Sequence, residues 1–177
     1  MDFKVKGLFV ENFNRSRVMA TSEQLLELDK NELDELFAEG ETPTVDEMEG
    51  ETRGIVLAGR GTLRTGVGRE IANLPLLPWK GKKIEGGQGV NRFGYGPLSQ
   101  QGFEFNTRIS ESLQGWGTVL VFDYDVASNP PGVKRVRDDL KKIDDGLYLG
   151  TSNLEIGGTH RFLLYFALEK TEKKIDV

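Results

Sequence analysis

The feature that most constrains this chain is a period of two in its apolar residues, repeated in short runs that glycine, proline and asparagine break. Phe103, Phe105, Thr107 and Ile109 fall on one side of an extended segment, with Glu104, Asn106 and Arg108 on the other. The last such run sets His160, Phe162, Leu164, Phe166 and Leu168 on one face, and Arg161, Leu163, Tyr165 and Ala167 on the other. About seven or eight extended runs are expected on these signals. They are Arg53 to Leu57, Leu77 to Ile84, Phe93 to Tyr95, Phe103 to Ile109, Gly117 to Tyr124, Leu147 to Ile156 and Arg161 to Leu168, with a weaker one near Thr62. A short segment containing Phe3, Val5 and Phe9 reads as an edge strand or a loosely held arm.

Two stretches carry helical spacing instead. From Thr21, which forms a capping box with Gln24, Leu25, Leu26, Leu28, Leu33, Leu36 and Phe37 make an apolar stripe that Gly40 ends. Asp29 and Asn31 divide it into two short helices, the second recapped near Asn31. Further on, Asn129, Pro130 and Pro131 form an N-cap and first turn, and Val133, Val136, Leu140 and Ile143 follow at spacings that predict one additional helix.

Many antiparallel strands with one apolar face bury that face, and lose their exposed edges, by closing into a barrel. The expected fold is therefore mostly β: one barrel domain over 1–177, with an N-terminal arm and helices, 1–40, packed on it. Matching the apolar faces of the two strongest strands sets Phe105 opposite Phe122 and Phe103 opposite Tyr124. The inner wall then includes Phe105, Thr107, Leu120, Phe122, Tyr124, Phe162, Leu164 and Phe166, the candidate ligand-binding residues. A barrel of about eight strands either fills itself with side chains or holds one small ligand.

The segment Met48-Glu49-Gly50-Glu51-Thr52-Arg53-Gly54, with Leu74-Pro75-Leu76-Leu77-Pro78-Trp79-Lys80-Gly81-Lys82, resembles a family of bacterial proteins named for a Gly-x-Trp-x-Gly motif. That resemblance implies a lipocalin-like, calycin-type barrel and no particular reaction. Thr52 stands where the family's tryptophan would be, which leaves Trp79 or Trp116 to plug the barrel floor. Asn129 to Leu140, with Gly146-Leu-Tyr-Leu-Gly150, looks like a cassette that recurs in such proteins.

Function classes narrow by subtraction. The chain has no cysteine, which removes disulfides, thiolate nucleophiles and cysteine metal sites, and its one histidine excludes a two-histidine metal site. No metal site is expected. A net charge of −5 opposes the electrostatics of nucleic-acid binding. No run approaches a membrane span or a signal peptide, so the expectation is a cytoplasmic protein. Gly66-Val67-Gly68 lacks the third glycine and the helix of a dinucleotide fingerprint, and Arg60, Arg64 and Arg69 read as a surface loop.

Three functional readings remain. The first is a barrel that binds an apolar small molecule such as a lipid, terpenoid or polyketide. The second is a cavity enzyme for cyclisation, isomerisation or dehydration, with Tyr124 as proton donor and His160 or Asp123 assisting; a buried Tyr124 bonded only to the backbone is the plainer alternative. The third is haem binding through His160, which the calycin-type resemblance implies because it extends to the haem-binding nitrobindins, barrels that place a histidine late in the chain; the plainer alternative is a solvent-exposed histidine at a hairpin exit. Val119, Val121, Leu163 and Ala167 form an outward apolar patch, which predicts a cover of helices or a homodimer, with the dimer preferred.

Overall fold

The computed structural model describes residues 21–57 and 78–171, and these form a closed barrel of eight antiparallel strands in sequence order. The strands are β1 (Gly50–Leu57), β2 (Trp79–Glu85), β3 (Gln88–Phe93), β4 (Gln100–Glu111), β5 (Thr118–Asp123), β6 (Val136–Asp144), β7 (Leu147–Ile156) and β8 (Thr159–Lys170). Closure comes from β1 pairing with β8, from Thr52 opposite Lys170 to Leu57 opposite Tyr165. Gly86-Gly87 and Gly157-Gly158 make two of the hairpin turns, each with φ between 60° and 78° at both positions, the left-handed pair that a tight two-residue turn demands. The expected arm around Phe3, the run near Thr62 and the arginines at 60, 64 and 69 lie outside the described residues.

Four expectations change. The stretch from Val133 is a single 3₁₀ turn, Val133–Arg135, followed by β6 rather than a helix. Apolar residues at 136 and 140 fit either period, and two aspartates between them hide the alternation that puts Val136, Asp138 and Leu140 on one face. β3 occupies Gln88–Phe93, not Phe93 to Tyr95; Tyr95 sits exposed in the β3–β4 turn. Its mostly polar and glycine composition gave no strand signal.

In the β4–β5 hairpin Thr107 opposes Phe122 and Ile109 opposes Leu120, a register two residues away from the expected one. The loop decides this: Ser112 N–H donates to Gly117 O, and Leu113 N–H donates to the Asp139 carboxylate, fixing where the strands start to pair. An even shift preserves the faces, and the Phe105 and Phe122 rings still meet diagonally at 4.7 Å. In β8, Ser152 pairs with Leu164 and Asn153 with Phe162, so Leu163 is the extra residue of a bulge. Beyond the bulge the faces exchange. Phe162 and His160 therefore leave the inner wall, while Leu164, Phe166 and Leu168 keep it.

Two apolar layers result. Inside the barrel lie Met48, Ile84, Phe105, Leu120, Phe122 and Leu140, all buried. Outside it, α1 (Lys30–Glu39) covers the patch made by Val119, Val121 and Ala167. The helix is capped two residues before the position expected near Asn31, by Asp29: its carboxylate accepts from Asn31 and Glu32 N–H, and the Glu32 carboxylate accepts from Asp29 N–H. Leu33 and Phe37, one turn apart, reach the sheet, with Phe37 5.7 Å from the Trp116 ring and 6.2 Å from Tyr165. The Tyr165 hydroxyl donates to Asp34 at 2.7 Å, tying the polar side of the helix to β8. Three residues of the patch that favoured a homodimer, Val119, Val121 and Ala167, are thus covered by this chain's own helix, while Leu163 stays half-buried at the bulge.

Phe37→Ala should destabilise the protein by about 3–5 kcal/mol, seen as a lower urea midpoint at unchanged slope. Leu26→Ala, at a residue 52% exposed, should leave the midpoint nearly unchanged.

Candidate functional site

A lysine inside an apolar barrel needs a reason, and β2 puts one there. Lys82 follows a ladder irregularity at Gly81, whose φ of 128° turns the strand so that Trp79, Lys82 and Ile84 all join the interior. Thr52 bridges the gap in the ladder, accepting from Lys82 N–H and donating to Lys82 O, both at 3.2 Å. The lysine backbone is thereby fixed from β1.

The ammonium group is 3.0 Å from Asp138 Oδ2 on β6, 2.9 Å from Asn91 Oδ1 on β3, and bonded to the Tyr124 hydroxyl at the end of β5. Tyr124 donates in turn to Asp138 Oδ2 at 3.1 Å and accepts from Asn91 Nδ2 at 2.9 Å. Asn91 is held by Trp79 Nε1, which donates to its Oδ1 at 3.0 Å, and by the Phe103 carbonyl, which accepts from its Nδ2 at 3.2 Å. Phe103 has φ of 56°, the one non-glycine left-handed residue among those described, at a bulge opposite β3. Backbone strain of order 1–3 kcal/mol at such a position is held by its surroundings. Here it aims a carbonyl at the site.

Five rings enclose the lysine nitrogen: Phe105, Phe122, Tyr124, Phe166 and Trp79, with centroids 4.9 to 5.5 Å away. Glycines let the rings lie flat on the barrel wall. A Cβ on Gly54 would stand 2.6 Å from the Trp79 ring, and Gly89 and Gly150 receive Phe105 and Phe166 in the same way. Trp79 is accordingly the interior tryptophan, while Trp116 packs outside on Phe37.

Burial lowers the affinity of Lys82 for its proton, and Asp138 opposes that shift. Burial raises Tyr124 well above its ordinary value, with the Asp138 charge adding to the effect. One polar atom of the cluster is left over: Asp138 Oδ1 is buried and has no hydrogen-bond partner among the described residues. Around the cluster, toward the end of the barrel where β1 stops and β2 begins, Trp79, Phe103, Val136 and Leu164 form a half-buried apolar rim.

Of the sequence-derived candidates, Tyr124, Phe105, Phe122 and Phe166 meet in this cluster. Leu120 is buried deeper in the same interior and Leu164 lies on the rim. Thr107 is at the other end, donating to Gly87 O at 2.7 Å beside the β2–β3 turn. Phe162 lies on the outer face against Tyr165, 5.1 Å between ring centres. His160 is exposed at the β7–β8 hairpin, in line with the hairpin-exit alternative, and the bulge at Leu163 corrects the inner-face position that haem ligation or acid–base assistance requires. Asp123 is on the exterior, paired with Arg108 at 3.3 Å, and is remote from the interior chemistry assigned to Tyr124.

Lys82, Asn91 and Asp138 were not singled out from sequence. Asp138 was hidden by the helical reading; at a period of two it stands between Val136 and Leu140 as a carboxylate on an apolar face, which is the signal that finds it. A groove of about 280 Å³ between Lys83, Val90 and Glu104 lies on the outer face of β2–β4 and shares no polar group with the cluster. No group of metal-ligating side chains occurs among the described residues, and no helix among them is long and apolar enough to cross a membrane.

No protein-family model matches the chain, and no curated protein matches it. Among solved structures, a crystal structure of a protein from Thermomonospora curvata is similar, with a TM-score of 0.56 and 18% identity over 82% of this chain and 90% of that one. At that identity the likeness shows a shared fold and nothing finer.

The lowered proton affinity of Lys82 has a sign that can be measured. The group recovers its ordinary value of 10.5 on unfolding, so between its folded value and 10.5 the unfolded chain holds more protons, and stability rises with pH. Wild type should gain stability relative to Lys82→Met as the pH is raised toward 10 in urea titrations. Above 10 the raised Tyr124 acts in the opposite direction, because unfolding then releases its proton. A difference that is flat or falls below pH 10 would contradict a desolvated Lys82.

Proposed function

We propose that this protein is a lipocalin-like, calycin-type barrel that binds a small, mainly apolar molecule carrying one polar group, and that the polar group is read by Lys82, Asp138, Tyr124 and Asn91. One observation carries the reading. Asp138 Oδ1 is a buried acceptor left without a donor inside a cluster whose other polar atoms are all paired, and such an atom costs about 1–3 kcal/mol unless something bonds to it. A ligand hydroxyl or amide supplies that donor.

The rest of the site suits the same molecule. A buried ion pair is weak as a source of stability, since hydrophobic replacements of such pairs are often neutral or better, so a pair inside a ring-lined interior suits recognition better than a purely structural role. The rings give a ligand apolar area, and the few convergent polar groups fix its orientation. The rim residues Trp79, Phe103, Val136 and Leu164 are half-buried, and they are the side chains a molecule entering from that end displaces.

Native mass spectrometry of freshly purified protein should show a bound organic molecule. Alternatively, a panel of fatty acids, terpenoids and polyketide-like compounds should contain members that raise the melting temperature by several degrees, since a ligand at a hundred times its Kd adds about 2.7 kcal/mol. The rise should shrink in Tyr124→Phe and Asp138→Asn. Absence of both a bound mass and any melting shift across the panel counts against the reading.

A further inference from the structure

We propose that Lys82 is a reactive amine that forms a reversible imine with a small aldehyde or ketone, and this rests on the binding reading above. Four features of the geometry converge on one nitrogen. Lys82 Nζ sits within 3.0 Å of a carboxylate that can take its proton, and is bonded to a phenol. The five surrounding rings keep out water, which would hydrolyse an imine. Asp138 Oδ1, on the same carboxylate, has no partner among the described residues and is placed to accept the hydroxyl of an addition product. The apolar rim of Trp79, Phe103, Val136 and Leu164 selects a substrate whose remaining part is hydrocarbon.

The chemistry balances within this set. Asp138 takes a proton from the Lys82 ammonium, leaving a neutral amine and a carboxylic acid. The nitrogen lone pair adds to the carbonyl carbon, a C–N bond forms, and the carbonyl π pair moves to oxygen. A proton passes from that nitrogen to the oxygen, giving a carbinolamine. Asp138 then returns its proton to the carbinolamine hydroxyl, the C–O bond breaks, water leaves, and the nitrogen lone pair closes the protonated C=N bond. The sum is ammonium plus carbonyl giving iminium plus water, with Asp138 a carboxylate again. Tyr124, whose hydroxyl touches both Lys82 and Asp138, holds the carboxylate oriented throughout.

The test uses the full chain with hexanal at sub-millimolar concentration and sodium cyanoborohydride at neutral pH. Cyanoborohydride reduces the imine to a stable secondary amine, and peptide mapping by mass spectrometry then locates the hexyl group. The expected result is an occupancy at Lys82 at least ten-fold above the mean of the other lysines, with the rate falling ten-fold or more in Asp138→Asn. If Asp138→Asn does not fold, Tyr124→Phe serves, and the wild-type map decides by itself. Adducts confined to exposed Lys30 and to half-buried lysines such as Lys134 and Lys80 overturn the proposal. Hexanol, which cannot form an imine, separates the two readings: a melting shift with hexanol and no adduct at Lys82 removes the imine and keeps the binding barrel, and neither result removes both.

Discussion

The interior of the barrel is arranged around one buried contact, the pairing of Lys82 with Asp138 across the lumen. Two charges brought out of water repay their desolvation only when the geometry is close and the remaining donors and acceptors are met. β2 and β6 are not neighbours in the sheet, so the pair fixes the distance across the lumen as well as the chemistry at its centre. Asn91 and Tyr124, from β3 and the end of β5, complete the lysine's bonds and prevent the cluster from taking another arrangement. Breaking the pair by removing only Asp138 leaves an ammonium among five rings, which is why such single substitutions are costly.

The surrounding wall is shaped by where side chains are missing. Gly54, Gly89 and Gly150 face the lumen and each carries an aromatic ring against its backbone, so Trp79, Phe105 and Phe166 lie along the wall instead of crossing the barrel. That arrangement leaves the ring faces turned to the lysine nitrogen, where their negative potential favours a cation or a developing positive charge. The bulges at Gly81 and Phe103 serve the same end, since each adds one residue and redirects a side chain or a carbonyl toward the cluster. On the outside, α1 closes the apolar face of β5, β7 and β8, so the barrel has a dry layer on each side of those strands. That doubly packed wall carries Phe122 on β5 and Phe166 on β8, two of the rings that enclose the lysine nitrogen.

Much of the barrel was legible because β-strands report their own faces. Phe103 to Ile109, Gly117 to Tyr124, Leu147 to Ile156 and Arg161 to Leu168 all coincide with strands, and Tyr124, Phe105, Phe122 and Phe166 were assigned to the inner wall correctly. The site was legible only in its aromatic half. Lys82 lies in a charged, glycine-containing run, Asn91 in a strand with no strand-like composition, and Asp138 in a segment whose apolar spacing fits a helix. These residues break the local rules because their partners are other strands, and a polar residue on an inner face looks like an outer residue until the partner is known.

The sequence by itself determined the class: a mostly β chain, closed by its apolar faces into a barrel, with capped amphipathic helical segments ahead of it. Those properties depend on periods, caps and turns, which are set by residues a few positions apart. What only the tertiary structure decided was the register of the β4–β5 hairpin, the exchange of faces at Leu163 that sends His160 to solvent, and the meeting of Lys82, Asn91, Tyr124 and Asp138. Lys82 and Asp138 are separated by 56 positions in the chain, and their attraction exists only once closure has excluded water from between them.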